Sequence, residues 1–344
     1  MKRQCHFKER ILDIDNLYLA YCKARRGKQQ KKEVRDFAAN LDCNIMMIRD
    51  SLENGNATLG NYRYFTIHDP KERLICAAPF RERVIHHAIM NVCHDTFDRT
   101  LIETTYATRR DKGVYAALEK AKRGIERYEY TVKLDVRKYY DSISHSVLRS
   151  RLRRMFKDQW LLALFDKIIE SYGVNGKGLP IGNLTSQYFA NLYLSDLDHK
   201  AKELWRVPIY IRYMDDIMMM SSDKSELHQS VNGITQYAQE ELQLTLKPPV
   251  YRLAKDGQNF LGYKVMPHHM QLSGRSKRRF RSKMLLYEHL YDCGRWDEQN
   301  LALHVLPLVA FTQHADSAVS PGLSMKLPTQ AVSEGKKSEG PTVS

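Results

Sequence analysis

Nothing in this sequence ties it to a membrane or to an oxidising compartment. No apolar run in its 344 residues approaches the roughly 20 residues a transmembrane helix needs. Its six cysteines (Cys5, Cys22, Cys43, Cys76, Cys93 and Cys293) form no C-x-x-C pair and no zinc-type spacing, so free thiols in a reducing compartment are expected. His86-His87 and His268-His269 lack partners at metal-ligand spacing and read as surface or helix residues. The N-terminus is charged without an apolar core behind it, so a secretory leader is not expected. No internal repeat is visible. The expectation is a soluble, cytoplasmic protein with no membrane partner.

Negative charge is also in short supply. Against 54 Lys and Arg there are 40 Asp and Glu, a net charge of +14 with a pI near 9.4, which points to a polyanionic partner. The basic residues gather in runs at 23–35, 63–83, 109–127, 149–157 and 275–283. Any one run reads as a solvated face; together they favour nucleic acid.

What the sequence does have is Tyr213-Met214-Asp215-Asp216, set between the apolar runs Ile209–Arg212 and Ile217–Met220. Adjacent carboxylates at the tip of a strand–turn–strand repel each other, and proteins keep such pairs chiefly where a cation neutralises them. Hard divalent ions such as Mg²⁺ take oxygen ligands, usually one or two carboxylates with substrate phosphates. A lone Asp-Asp would read as an ordinary turn. Upstream, however, Val132, Leu134 and Val136 alternate on one face of a strand and put Asp135 on the other, near its end. By itself Asp135 is equally an aspartate satisfied by local backbone hydrogen bonds. With the hairpin, a pair of ions stabilising the attacking and leaving oxygens of a phosphoryl transfer is the better reading.

Along the chain, residues 1–55 read as helical and polar. Tyr62–Ile67 and Arg73–Cys76 flank a turn and predict a hairpin, followed by an amphipathic helix carrying Val84, Ile85, Ala88, Ile89, Val92 and Phe97, and by another around Ala116–Ile125. After the Asp135 strand come a helix with Leu148, Leu152 and Met155, a helix near Leu161–Tyr172, a Gly-rich loop and a helix from about Ser186. The carboxylate hairpin, a helix marked by Leu227, Val231, Ile234, Ala238 and Leu242, and an alternating strand at Leu242, Leu244 and Leu246 complete a split βαβ pattern of the ferredoxin-like kind. Residues 275–312 read as helical and basic, and a disordered tail is expected from about Ser317.

Four segments resemble, in order, motifs of the reverse transcriptase family over roughly residues 60–315. They are Lys133-Leu134-Asp135 with Tyr139-Tyr140, Gly182–Gln187, Tyr213–Asp216, and Asn259-Phe260-Leu261-Gly262-Tyr263. Leu179-Pro180-Ile181-Gly182, Thr185-Ser186-Gln187 and Thr105–Gly113 resemble most the reverse transcriptases of diversity-generating retroelements of bacteria and their phages. Most other relatives carry Gln where Ile181 stands and Pro where Gln187 stands.

The resemblance implies an α+β, right-hand polymerase architecture with fingers, a ferredoxin-like palm and a short helical thumb. The expected division is an N-terminal extension at 1–60, fingers at 61–128, a palm at 129–258 with a finger insertion near 150–185, and primer grip and thumb at 259–316; 317–344 is the tail. It implies that Asp135, Asp215, Asp216 and the carbonyl of Val136 hold two Mg²⁺ ions, with Mn²⁺ able to substitute. Lys71 and Arg73 would clamp the incoming triphosphate, since Arg–phosphate contacts are charge-assisted; the plain alternative is exposed turn charge. Tyr140 would gate the ribose 2′-OH, the alternative being a core tyrosine, which suits Tyr139 better. Ile181, Gly182 and Gln187 would face the nucleotide, and an apolar Ile181 would loosen discrimination at mispairs or be a neutral swap in a loop. Arg109, Lys112, Phe260, Leu261, Gly262, Lys277, Arg278, Arg279 and Arg281 would meet template and primer.

The implied function is RNA-directed DNA synthesis, copying template-repeat RNA into error-prone cDNA with a DNA or RNA primer, dNTPs and a small basic accessory protein. The alternatives are an ordinary-fidelity bacterial enzyme of retron, group II-like or defence type, and a catalytically dead RNA-binding protein. The intact carboxylates argue against the last, because a binding module has no reason to keep clustered like charges.

Overall fold

The computed structural model describes residues 6–68 and 72–315. Helices α1 (Phe7–Leu12), α2 (Ile14–Arg25), α3 (Lys32–Ala39) and α4 (Leu41–Glu53) precede an antiparallel hairpin of β1 (Arg63–Ile67) and β2 (Arg73–Ala77). Next come α5 (Phe80–Asp98), α6 (Val114–Arg127), β3 (Tyr130–Asp135), α7 (Tyr139–Ser142), α8 (His145–Met155), α9 (Gln159–Glu170), α10 (Leu184–Tyr193) and α11 (Ser195–Glu203). The chain continues through β4 (Ile209–Tyr213), β5 (Asp216–Ser221), α12 (Lys224–Glu240), β6 (Val250–Leu253), β7 (Gln258–Phe260), β8 (Tyr263–Val265), β9 (Met270–Leu272), α13 (Gly274–Asp292) and α14 (Glu298–Thr312).

The central sheet has the order β4-β5-β3-β6, every pair antiparallel, as the split βαβ pattern predicts. Both faces are covered. Val132, Leu134, Ile217 and Met219 join the large core with Phe189 of α10 and Leu227, Val231, Ile234 and Ala238 of α12. Ile211, Met218 and Met220 pack the other way, against Ala117, Leu118, Ala121 and Ile125 of α6 and the small β7-β8-β9 sheet. The uninterrupted Ile217–Met220 run is that of a strand buried on both faces. On α6, a Cβ at Gly124 would lie 2.5 Å from the Met220 sulfur, so any larger residue there requires the end of the Met220 side chain to move.

Two expectations need correction or limits. The alternation at Leu242, Leu244 and Leu246 is not a strand: Gln243 has a left-handed backbone (φ 52°), and only Leu246 bridges to Val136. Leu242 and Leu244 are buried all the same. Pro248 and Pro249, lacking N–H donors, delay regular pairing to Val250. The tail expected after Ser317 and the turn residue Lys71 lie outside the described residues. The cysteines among the described residues are free, and no helix there is long and apolar enough to cross a membrane.

Candidate active site

The β4–β5 hairpin closes with Tyr213 opposite Asp216, leaving Met214 and Asp215 as a two-residue turn. Met214 takes a left-handed conformation (φ 53°), the positive φ that tight hairpin turns demand and that a non-glycine residue adopts only at some cost. On the neighbouring strand, Asp135 is the direct partner of Asp216, so sheet register alone brings two carboxylates side by side at the strand ends, with Asp215 at the tip. Val136 follows at once and bridges to Leu246.

The charges confirm the crowding. Burial pushes the Asp215 carboxyl up to about 6, with further upward push from Asp216 and Asp135. Lys247 pairs with Asp135, and its backbone N–H donates to the Asp135 carbonyl at 2.8 Å. Lys133, on the same strand face as Asp135, brings its ammonium 2.6 Å from Asp216. Among the described residues, no three His, Cys, Asp or Glu side chains are close enough to hold an ion unaided. That donor set still fits Mg²⁺, which keeps several waters and takes substrate phosphates beside one or two carboxylates. A crowded, oxygen-only set in which Asp215 is pushed up despite the nearby Lys247 is one that a hard cation relieves.

Around these carboxylates the expected nucleotide residues gather in part. Tyr139 is buried and donates its hydroxyl to the Ala190 carbonyl, so it belongs to the core. Tyr140 is half-buried, and its phenol is pushed well up, first by burial and then by Asp215, with Arg73 opposing. Arg73 is exposed at the start of β2. The carbonyl of Ile181 accepts from the Cys76 N–H at 2.8 Å, which joins the Leu179–Gly182 loop to β2. Gly182 has φ 115°, and a Cβ there would press on the Ile75 side chain at 3.1 Å. Gln187 is partly exposed on α10. At the start of that helix, Asn183 Nδ2, Thr185 Oγ1 and Ser186 Oγ are buried without a hydrogen-bond partner. The Gly182–Gln187 motif marked this stretch in the sequence, but only Gly182 and Gln187 within it were expected at the nucleotide; the three buried polar groups between them were not.

The expected nucleic-acid contacts divide. Lys277, Arg278, Arg279 and Arg281 lie exposed on α13, away from buried Phe280 and Met284. Leu261 (φ 47°) and Gly262 (φ 91°) form the β7–β8 turn. Phe260, by contrast, is 1 % exposed and packs with Tyr263 and Val265; its side chain anchors the turn and is not available to a strand of nucleic acid. The Arg109 guanidinium is also directed inward, with bonds to Asp98 at 2.7 and 3.2 Å and to the carbonyls of Ile102 and Thr105. It closes its own loop. Lys112 donates to the Glu103 carbonyl and lies 5.2 Å above the Tyr106 ring.

Sequence reading missed what lies under the hairpin. Arg212, fully buried in β4, is paired with fully buried Asp198 of α11, and Tyr210 and Thr105 donate to the same carboxylate at 2.7 and 3.0 Å. Lys247 was likewise not singled out, and Lys133 was named only as part of the Lys133-Leu134-Asp135 motif, without a role, although it sits two residues from Asp135 on its face of the strand.

Residues 68–265 match the family described as "Reverse transcriptase (RNA-dependent DNA polymerase)". Among curated proteins, the chain is 22 % identical over 179 residues to Protein YkfC of Escherichia coli (strain K12), covering 48 % of this chain and 47 % of that one. It is 23 % identical over 201 residues to the group II intron-encoded protein LtrA of Lactococcus lactis subsp. cremoris, covering 55 % and 34 %. The match thus spans less than half the length of these relatives. Among solved structures, telomerase from Candida albicans in complex with a fragment of telomeric RNA superposes with a TM-score of 0.50 at 11 % identity, over 75 % of this chain and 56 % of that one. The fold is the α+β, right-hand polymerase fold that the motifs led one to expect. With more than half of its length matched, the chain belongs to the reverse transcriptase family.

Proposed function

We propose that this protein is an RNA-directed DNA polymerase that extends a primer on template RNA with dNTPs. The observation that carries the reading is the register pairing of Asp135 with Asp216 beside the buried Asp215. Two Mg²⁺ ions bound there would stabilise the developing charge on the attacking and leaving oxygens. Asp135, Asp215 and the Val136 carbonyl would hold them, with Asp216 alongside and Mn²⁺ a substitute. Tyr140, packed on the large core and within the electrostatic influence of both Asp215 and Arg73, would sense the sugar; Arg73, with Lys71, would take the triphosphate. The unpartnered Asn183, Thr185 and Ser186 groups lie next to the Ile181–Gly182 loop, where polar ligand atoms would satisfy them. In this scheme 61–128 serve as fingers, 129–258 as palm and 259–316 as primer grip and thumb.

The narrower reading is a mutagenic retroelement enzyme working with a small basic accessory protein. Ile181 and Gln187 support it, because an apolar residue beside the sugar supplies packing where a glutamine would supply a hydrogen bond. The match to an intron-encoded relative favours an ordinary-fidelity, group II-like enzyme as the second reading. Sequencing cDNA made on one RNA separates them: errors concentrated opposite template adenine support the first, and low, evenly spread errors support the second. The polymerase reading itself is tested with Asp215→Asn. Primer extension should fall roughly a hundredfold or more, the scale for losing one preorganised charge-stabilising group, while RNA binding persists. Activity within tenfold of wild type would overturn it.

A further inference from the structure

We infer that Arg212 is a positioning residue for the carboxylate hairpin, a rigid mount that sets where Asp215 sits and thereby how tightly the site holds its metal ions. The inference rests on the metal reading of that hairpin. A guanidinium has five N–H donors in a fixed plane, and at Arg212 each has an acceptor. Nε and Nη2 donate to the two Asp198 oxygens at 2.6 and 2.5 Å. Nη1 donates to Asn191 Oδ1 at 2.9 Å and to the Met214 carbonyl at 3.0 Å, and Nη2 donates to the Asn191 carbonyl at 3.1 Å.

The Met214 carbonyl is the informative partner. Met214 is the left-handed turn residue immediately before Asp215, so a bond to its carbonyl fixes the peptide that carries the carboxylate. The other end of the guanidinium is anchored on two helices, α10 through Asn191 and α11 through Asp198. A third tie comes from the 104–107 loop. The Arg212 N–H donates to the Thr104 carbonyl at 3.0 Å, its carbonyl accepts from Tyr106 N–H at 2.9 Å, and Asn191 Nδ2 donates to the Ala107 carbonyl at 2.6 Å. A buried network in which the guanidinium, the Asp198 carboxylate and the Asn191 amide all find partners is rigid and holds one geometry. Lysine cannot reproduce it, having three donors on a flexible stem and no plane.

The test measures metal binding without chemistry. Full-length protein is assembled with template RNA, a dideoxy-terminated primer and the matching dNTP, and Mn²⁺ is titrated while free Mn²⁺ is followed by electron paramagnetic resonance. Asp215→Asn defines the level without the hairpin site. Arg212→Lys keeps the charge and should weaken hairpin Mn²⁺ binding by about tenfold, the low end for losing a partner that orients a metal ligand. Asn191→Ala leaves the Arg212–Asp198 pair in place and should weaken it less. Tyr193→Phe removes two other buried hydrogen bonds, from its hydroxyl to the Leu242 carbonyl and from the Ser144 N–H to that hydroxyl, and should lower the melting temperature without changing Mn²⁺ affinity. Wild-type affinity in folded Arg212→Lys overturns the inference. If Arg212→Lys does not fold, Asn191→Ala decides by the same criterion. Wild-type protein that binds no more Mn²⁺ than Asp215→Asn overturns the metal reading, and the inference with it.

Discussion

Around Arg212 every guanidinium N–H has an acceptor and every partner side chain is buried. Along the two C-terminal helices, Leu285, Leu286, Leu303 and Leu306 are all more than half exposed, and a small cluster of Phe280, Met284, Leu301 and Val305 forms the buried contact between them. On the proposed function the two regions face different tasks. A metal site tolerates errors of only a fraction of an ångström, so the turn that carries Asp215 is tied by directional bonds to a buried network. A basic helix that follows a phosphate backbone works through longer-range attraction that needs little positional accuracy, and a light attachment suffices.

That contrast can be broken first by stability. Phe189→Ala, in the core beneath the sheet, should cost about 3–5 kcal/mol and lower the midpoint of the whole denaturant transition. Met284→Ala should leave that midpoint nearly unchanged and instead speed hydrogen exchange of amides in α13 and α14, because lightly packed elements open locally. Equal midpoint losses would show that the two regions unfold as one.

Next in size is sugar selection. Tyr140→Val should lower the ratio of dNTP to NTP incorporation efficiency by about tenfold, the scale for a change of side-chain volume in a snug pocket. An unchanged ratio in a folded variant would return Tyr140 to a packing role. Neutralising Lys277, Arg278 and Arg281 together should flatten the slope of log affinity against log salt by roughly 0.7–0.9 per lost phosphate contact. An unaltered slope would make this run solvated surface. The smallest effect belongs to Ile181→Gln. One hydrogen bond is worth about 0.5–1.5 kcal/mol net, so error frequency opposite adenine should fall roughly a few-fold to tenfold, read by cDNA sequencing scored by template base.

The hairpin was legible because its evidence is local: two carboxylates between apolar runs, and a strict alternation that fixes which way Asp135 faces. Arg212 was not, because its partner is fourteen residues earlier on a helix whose Asp196, Asp198, Lys200 and Lys202 read as a solvated charge pattern. Nothing in that pattern says which aspartate turns inward. Arg109 failed for the same reason. A basic residue in a loop suggests phosphate until the fold brings Asp98 to it. At Leu242–Leu246 the periodicity was right about burial and wrong about the ladder, since one left-handed residue and two prolines decide pairing and hydropathy does not see them.

The bond from the Cys76 N–H to the Ile181 carbonyl joins two stretches of chain about a hundred residues apart through main-chain atoms alone. Any L-residue except proline at position 76, and any residue at position 181 that keeps the local backbone, can make it. The joint between the β1–β2 hairpin and the Leu179–Gly182 loop is therefore indifferent to the side chain at 181. If residue 181 faces the nascent base pair as proposed, selection can exchange that side chain, and with it how strictly the pair is judged, without dismantling the frame on which it stands. Accuracy then becomes a separately adjustable property.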